Sequence, residues 1–446
     1  MLRTFRAKPT LSANQVGDYE EKVAQWFELF LDLVFVGVCA SVAHHLEAHV
    51  TWHGVCDFIF LLTQYTAGWL LYTNFVSRFN ETSLVHCVFL FVLLCGFGGM
   101  VLGGSPNQAF TTGLLLVRLG VLCMNANMYL RLPASRQQVW LDLVLLLCSI
   151  GILGVGLTAS TTELYWCYGA VLFLEIPVRG IWMINQWLFA TSVHVYINID
   201  HANERASNLV LVTLGEAVLA AIQNNDDADR VTPRFYLCML LSLVVSFGLA
   251  LFYHTVQPPR PFHALKRSAT FAFGFYMVHF ALWPSLVALG VGTAVVKRAV
   301  LAHARLDRAE IYLLFGSLSA SMLCILLLRL LHYGGRQPTS WDAPRVRALK
   351  QLWWAIIALS PVHAILDAVV LLYCGRDDDS VDSINALLAA AATVVWWIVV
   401  ETAIMGALLR LGGQFKLHAT DIDDVDDDEP PASTPRAGYR AYDGLV

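Results

Sequence analysis

The sequence predicts an all-α, polytopic transmembrane bundle of about twelve helices, followed by an acidic tail. Three observations predict it. First, the 446 residues are 57% hydrophobic and only 14% charged, against about 25% charged in a typical soluble domain. A chain of this length cannot bury so much apolar surface in one soluble core and keep a wettable exterior. Second, the apolar residues are gathered into runs of roughly 20, the length a helix needs to cross the hydrocarbon layer. Third, Lys and Arg are concentrated in alternate connections between those runs.

The elements follow in order. Residues 1–24 are polar and basic and form the N-terminal segment. The membrane domain occupies residues 25–410, and its first four spans are expected at Trp26–His45, Val55–Val76, Ser83–Leu102 and Phe110–Leu130. The next four are Val139–Leu157, Leu164–Trp182, Ser207–Ala221 and Phe235–Val256. The seventh is short, and Ile199–Ala206 is expected to extend it at its start. The last four are Ala269–Val291, Ile311–Leu331, Leu352–Tyr373 and Ile384–Leu409. The first run carries Glu28 and Asp32, whereas the apolar region of a secretory signal is shorter and uncharged.

Basic residues assign the sides. Arg3, Arg6, Lys8 and Lys22 precede the first span, Arg78 follows the second, and Arg131 and Arg136 follow the fourth. The first three loops of the opposite side have no Lys or Arg. The positive-inside bias then places both termini in the cytoplasm. The sequon Asn80-Glu81-Thr82 falls on that side and should stay unglycosylated.

Short matches hint at two parallel six-helix halves. Leu130-Arg131-Leu132 after the fourth run echoes Leu328-Arg329-Leu330 at the end of the tenth. Glu175 in the sixth is likewise echoed by Glu401 in the twelfth. Parallel repeats of this kind occur in transporters. The ten cysteines are scattered and form no CxxC pair, so they read as small apolar fillers. Residues 411–446 change character: Asp421–Glu429 is nearly all acid, and a disordered cytoplasmic tail is expected. Tyr442 and Leu445 frame a tyrosine-x-x-bulky pattern of the kind read by sorting adaptors; an inert tail is the alternative.

Ionisable residues inside the spans are the best pointers to function, because each costs about 2.5–3.5 kcal/mol near the bilayer centre. Glu28 and Asp32 are four apart and share a helix face, which suits proton or cation handling. The plainer reading ties both to a buried arginine that holds helices together. Arg118 is expected to meet Glu28, Asp32 or Glu216. Glu204, Arg205 and Glu216 lie on the seventh run, with Gly215 beside Glu216. Glu175 and Arg179, again four apart, read as a structural ion pair within one helix. A secondary polar set comprises His44, His45, His363, Asp367 and Glu401. His363 and Asp367 can relay protons or merely cross-link helices. His45, His49 and His53 would share a face suited to a transition metal, although interfacial histidines are ordinary. Asp57 and Asp142 lie near helix ends, where solvent relieves their cost.

The run Trp26-Phe27-Glu28-Leu29-Phe30-Leu31-Asp32-Leu33-Val34-Phe35-Val36 resembles the hallmark of the low-temperature-requirement A (LtrA) family. So does Ala43-His44-His45-Leu46, and the stretch from Glu204-Arg205 to Leu214-Gly215-Glu216 resembles that family's second motif. Tyr72-Thr73-Asn74, Arg78-Phe79 and Arg118 also fit. The resemblance is strong over residues 26–221, looser to about residue 409, and absent from both ends. At Asn208-Leu209 the chain departs from the expected glycine. The resemblance implies a multi-spanning membrane protein linked by name to growth in the cold, and no particular reaction.

Soluble-enzyme signatures such as HExxH, a P-loop or GxSxG are absent from the sequence. The expected partners are the lipid bilayer and a small ion or small molecule, with no nucleic acid. No cofactor and no oligomeric state is specified. The leading reading is a transporter or channel-like protein with Glu28, Asp32, Arg118, Glu204, Arg205 and Glu216 in one polar site. A membrane-embedded lipid-modifying enzyme and a structural or sensory membrane protein are the alternatives.

Overall fold

The computed structural model describes residues 9–12, 22, 24–188, 195, 197–223, 232–258, 263–332, 338, 340, 342–374 and 380–411. Among them, twelve spans are long and apolar enough to cross a membrane. The protein is a multi-pass integral membrane protein built almost wholly from α-helices.

The first spans are α1 (Trp26–Ala48), α2 (Trp52–Arg78), α3 (Leu84–Gly103), α4 (Gln108–Arg131) and α5 (Arg136–Gly156). The sixth is composite: α6 (Thr161–Phe173), a π-helical turn (Leu174–Val178) and α7 (Arg179–Leu188). The next two are α8 (Ile199–Ile222) and α9 (Pro233–Val256). A single turn, α10 (Ala264–Arg267), leads into α11 (Ala269–Leu301), which is followed by α12 (Arg308–Leu331). The eleventh span is broken into α13 (Pro344–Ala358) and α14 (Ser360–Cys374), and α15 (Ser383–Arg410) is the twelfth.

Side-chain caps set most starts. Thr51 accepts from the Gly54 amide at 3.1 Å and Asn107 from Phe110 at 2.9 Å. Ser268 accepts from Phe271 at 3.3 Å. Asp307 and Glu310 close a reciprocal capping box, each satisfying an amide without a helical partner. Proline explains both irregular spans. Pro177 lacks an amide hydrogen and sits in the π turn. The ring of Pro361 crowds the carbonyl four residues back, and the helix restarts at Ser360.

Helix α11 is the most enclosed span and packs against α1, α2, α8, α9 and α12. At Gly290 a Cβ would lie 3.0 Å from the Ala217 amide nitrogen, so a small residue there lets the α8 backbone approach closely. Apolar side chains such as Phe91 and Phe247 stand exposed on the outer faces, at 66% and 73%, as lipid contact requires. Two short antiparallel pairs tie loops to the bundle. β1 (Thr10–Leu11) pairs with β2 (Phe79–Asn80), with Thr10 opposite Asn80. β3 (Arg305–Leu306) pairs with β4 (Val381–Asp382). Each half of the chain carries an Arg–Glu pair between its fourth and sixth spans, Arg118–Glu175 and Arg329–Glu401. The acidic run Asp421–Glu429 and the Tyr442/Leu445 motif lie outside the described residues.

Candidate functional site

Residues four apart on a helix stack one above the other. Glu28 and Asp32 do so on α1, and His201 and Arg205 do so on the facing α8. The two ladders meet rung to rung. Glu28 Oε2 is 2.7 Å from His201 Nε2. Arg205 forms a two-pronged pair with Asp32, with Nη2 donating to Oδ1 at 2.7 Å and Nη1 to Oδ2. All four side chains are buried.

Neighbouring helices lock these groups in place. Trp69 of α2 donates its indole N–H to Asp32 Oδ1 at 3.0 Å, and the Arg205 guanidinium lies 5.4 Å from the Trp69 ring centre. Trp283 of α11 packs edge-on against Trp69. Asn198 caps α8 by accepting from the His201 amide at 3.1 Å, and its own amide donates to the Ser77 carbonyl at 2.9 Å. Ser77 Oγ then lies 3.1 Å from His201 Nδ1. The end of α2 therefore fixes where α8 begins and which way the imidazole faces.

Charge counting gives the cluster its chemistry. Arg205 neutralises Asp32. Glu28 and His201 are together neutral only when one proton is held between them, on either group. Without that proton these four side chains carry one net negative charge, a costly state in a low-dielectric interior unless a cation such as the nearby Lys22 ammonium faces it.

This pair has access to a cavity. Glu28 lines a polar vestibule of about 320 Å³ together with Lys22, Gln25, Glu81 and His86. Lys22 Nζ donates to the carbonyls of Val76 and Phe79. Burial lowers its ammonium to about 8, and the nearby Glu28 carboxylate draws it back upward. Glu81 reaches the Ser83 amide at 3.3 Å, and its carboxylate is 3.8 Å from Arg131.

Not every expected partner joins this cluster. Arg118 does not reach Glu28, Asp32 or Glu216. It pairs with Glu175, with Nε donating to Oε1 at 3.2 Å and Nη2 to Oε2 at 2.9 Å. The expected Glu175–Arg179 pair gives way among the described residues to Arg118–Glu175 and Arg179–Asp142, the latter at 3.2 Å. The π turn is the reason: it spans Glu175, Pro177 and Val178, and its wider winding rotates Arg179 out of line with Glu175. Asp142, expected at a solvated end, is buried and shared with Arg78 at 3.3 Å. Glu204 is half-buried, one residue away from the His201–Arg205 face. Glu216 lies about 16 Å further along α8 by helix rise, near Cys39, and its buried Oε2 has no hydrogen-bond partner.

The secondary set separates into distinct places. His44 is 86% exposed and 3.9 Å from Glu47, and the His45 ring meets His49. His363 is 3.6 Å from Asp367 and accepts from the Trp397 indole at 3.1 Å. Glu401 pairs instead with Arg329 at 2.7 Å. Among the described residues, no three His, Cys, Asp or Glu side chains converge as a metal would require.

The sequence reading missed His201, Trp69, Ser77 and Lys22. His201 had a visible signal, since it stands four residues before Arg205 and three after the capping Asn198. The other three carried none, because their partners are remote in sequence.

With this geometry in view, comparison with known proteins adds three findings. The family model described as "Bacterial low temperature requirement A protein (LtrA)" matches residues 23–375. The chain is 30% identical over 92 residues to cholinephosphotransferase 1 of Bos taurus. That match covers 21% of this chain and 22% of the relative, so the chain spans about a fifth of the curated relative's length. No solved structure matches the chain.

Proposed function

The chain belongs to the LtrA family, and from that premise we propose that it is a transporter or channel-like protein whose α1–α8 cluster binds a proton or a small cation. The observation that carries this reading is the buried Glu28–His201 pair, whose Glu28 lines the vestibule opposite Lys22. Glu28 is the binding group, His201 its proton partner, and Asp32–Arg205 the fixed pair that holds the two helices in register. Loading and unloading would proceed through the vestibule. Glu216, deeper on α8 and unpartnered at Oε2, is the candidate for the next acceptor along the path.

Flux into proteoliposomes under a pH or cation gradient tests this. Glu28→Gln should reduce flux at least tenfold while leaving the protein folded, because glutamine keeps the hydrogen bond and loses the charge. Asp32→Asn should instead lower stability by about 3–5 kcal/mol, the cost of leaving a buried arginine without its acid. Folded Glu28→Gln protein with unchanged flux would refute the assignment.

A second reading rests on the cholinephosphotransferase 1 match, a relative whose name denotes transfer of phosphocholine. On that reading the same carboxylates act on lipid. Altered membrane lipid composition on deletion, with no flux from the purified protein, would favour it.

A further inference from the structure

Away from the α1–α8 cluster, a second buried charge group joins the end of α2, the middle of α4, the second turn of α5 and the sixth span around its π turn. It contains Arg78, Arg118 and Arg179 against two carboxylates, Asp142 and Glu175. Each of the five side chains is at most 9% exposed. Among the described residues, three guanidinium cations against two carboxylates leave one positive charge uncompensated. An unbalanced charge at this burial is costly in a membrane protein unless an anion or water accompanies it.

The hydrogen bonds show where such an anion would sit. Among the described residues, Arg78 Nε, Arg118 Nη1, Arg179 Nε and Arg179 Nη2 are buried donors without hydrogen-bond partners, and of these arginines Arg179 lines a cavity. The Tyr276 hydroxyl of α11 is also buried without a partner, close to Arg78. Arg179 and Tyr276, each 8% exposed, line one cavity of about 60 Å³ between α2, α7 and α11. That space would take several waters, and so one phosphate-sized group. Asn74 and Glu175 also line it, and the Glu175 carboxylate is already held by Arg118.

The remaining wall is apolar, including Leu70, Leu71, Phe273 and Met277. Gly180 lets the Phe273 ring pack directly on the α7 backbone and wall the cavity: a Cβ there would lie 2.3 Å from that ring. Beside it, Ile181 and Trp182 are exposed on the outer face, where lipid chains would lie. The depth also fits. Arg78 is the last residue of α2, Asp142 is in the second turn of α5, and Arg179, the first residue of α7, is held at their level by its pair with Asp142. All three stand at the headgroup level of the side that the Lys/Arg bias assigns to the cytoplasm. That leaflet is rich in anionic lipid, and basic pockets between spans there favour such headgroups.

We infer that Arg179 and the Tyr276 hydroxyl form a binding site for the phosphate of an anionic phospholipid, whose acyl chains run along the outer face beside Ile181 and Trp182. The lipid supplies the missing negative charge and accepts the free guanidinium donors. A free phosphate offers the same charge and cannot use the apolar wall.

Native mass spectrometry of the full-length protein, delipidated and then titrated with phosphatidylglycerol or phosphatidylcholine, tests the site. Wild type should retain phosphatidylglycerol at least tenfold better than phosphatidylcholine. Tyr276→Phe is the clean variant, because that hydroxyl has no hydrogen-bond partner among the described residues and its loss should leave the fold intact; it should weaken retention several-fold. Arg179→Gln should abolish the preference, and Arg179→Lys should keep part of it. Equal retention of the two lipids by wild type, or Tyr276→Phe and Arg179→Gln variants that bind as wild type does, would overturn the site. Displacement of the lipid by millimolar inorganic phosphate would overturn the lipid as the occupant. Flux through the α1–α8 cluster is a separate readout, so neither proposal fails with the other.

Discussion

Lys22 sits partly buried at the vestibule beside Glu28, where burial lowers its ammonium from 10.5 to about 8. The folded protein therefore releases this proton near pH 8, and the unfolded chain releases it near 10.5. Below pH 8 both states are charged, and the folded state bears the cost of burying the charge. Between pH 8 and 10.5 the unfolded state binds the extra proton, so this group's contribution to stability rises with pH across that window. Replacing Lys22 with Met removes the contribution. The gap in apparent thermal midpoint between the variant and wild type in detergent should be widest below pH 8 and shrink toward pH 10.5. A gap that stays constant with pH would show that Lys22 is not buried as a charged group. Two other groups outside the spans, His263 and His332, are lowered by burial to about 3 and about 2. Both are therefore neutral at physiological pH and cannot sense it.

Among the helices, α3 and α4 approach backbone to backbone in a way that depends on glycine. A Cβ on Gly113 would lie 2.5 Å from the Met100 backbone nitrogen, and one on Gly96 would lie 2.7 Å from the Gly113 carbonyl oxygen. Backbone atoms cannot swing aside as a flexible side chain can, so the helices must separate. Gly113→Val should cost about 1–3 kcal/mol through overpacking, whereas Gly98→Val, with nothing within 4 Å of the new Cβ, should be neutral. Thermal melts of the two variants side by side check this, and equal loss in both would contradict the packing argument. The sixth and eleventh spans make a related point. Each reads in the sequence as one apolar run, yet proline turns one into an α–π–α segment and splits the other in two. The π turn also redirects Arg179 from Glu175 to Asp142, and so creates the unbalanced group at the α7–α11 seam.

For the whole molecule, we propose from the twelve spans and the Lys/Arg bias that both termini face the cytoplasm. The expected outcome is directional labelling in intact cells, in a background without exposed native cysteines. Ser105→Cys, in the exposed loop between α3 and α4, should react with a membrane-impermeant thiol reagent. Ala134→Cys, exposed between α4 and α5, should react only after permeabilisation. The reverse pattern would invert the assignment, moving the vestibule and the proposed lipid site to the outer side. The charged side chains of the two buried groups lie on different sets of helices, so the proposed cation site and the proposed lipid site can be tested independently.

The spans and the family hallmark were legible in the sequence because each depends on residues close together in the chain. Hydropathy runs and the Glu28–Asp32 spacing are local facts. Even the early start of α8 at Ile199 was readable from the residues before Ser207. The partners were not legible. His201 and Arg205 stand 173 residues from Glu28 and Asp32, and the sequence offered several arginines to the same acids. Only the packing of α1 against α8 chose Arg205 for Asp32 and His201 for Glu28, and only the π turn at Pro177 gave Arg118 to Glu175 and Arg179 to Asp142. Burial of an ionisable side chain shows locally that it needs a partner; which partner it finds is set by how helices distant in the chain are brought together.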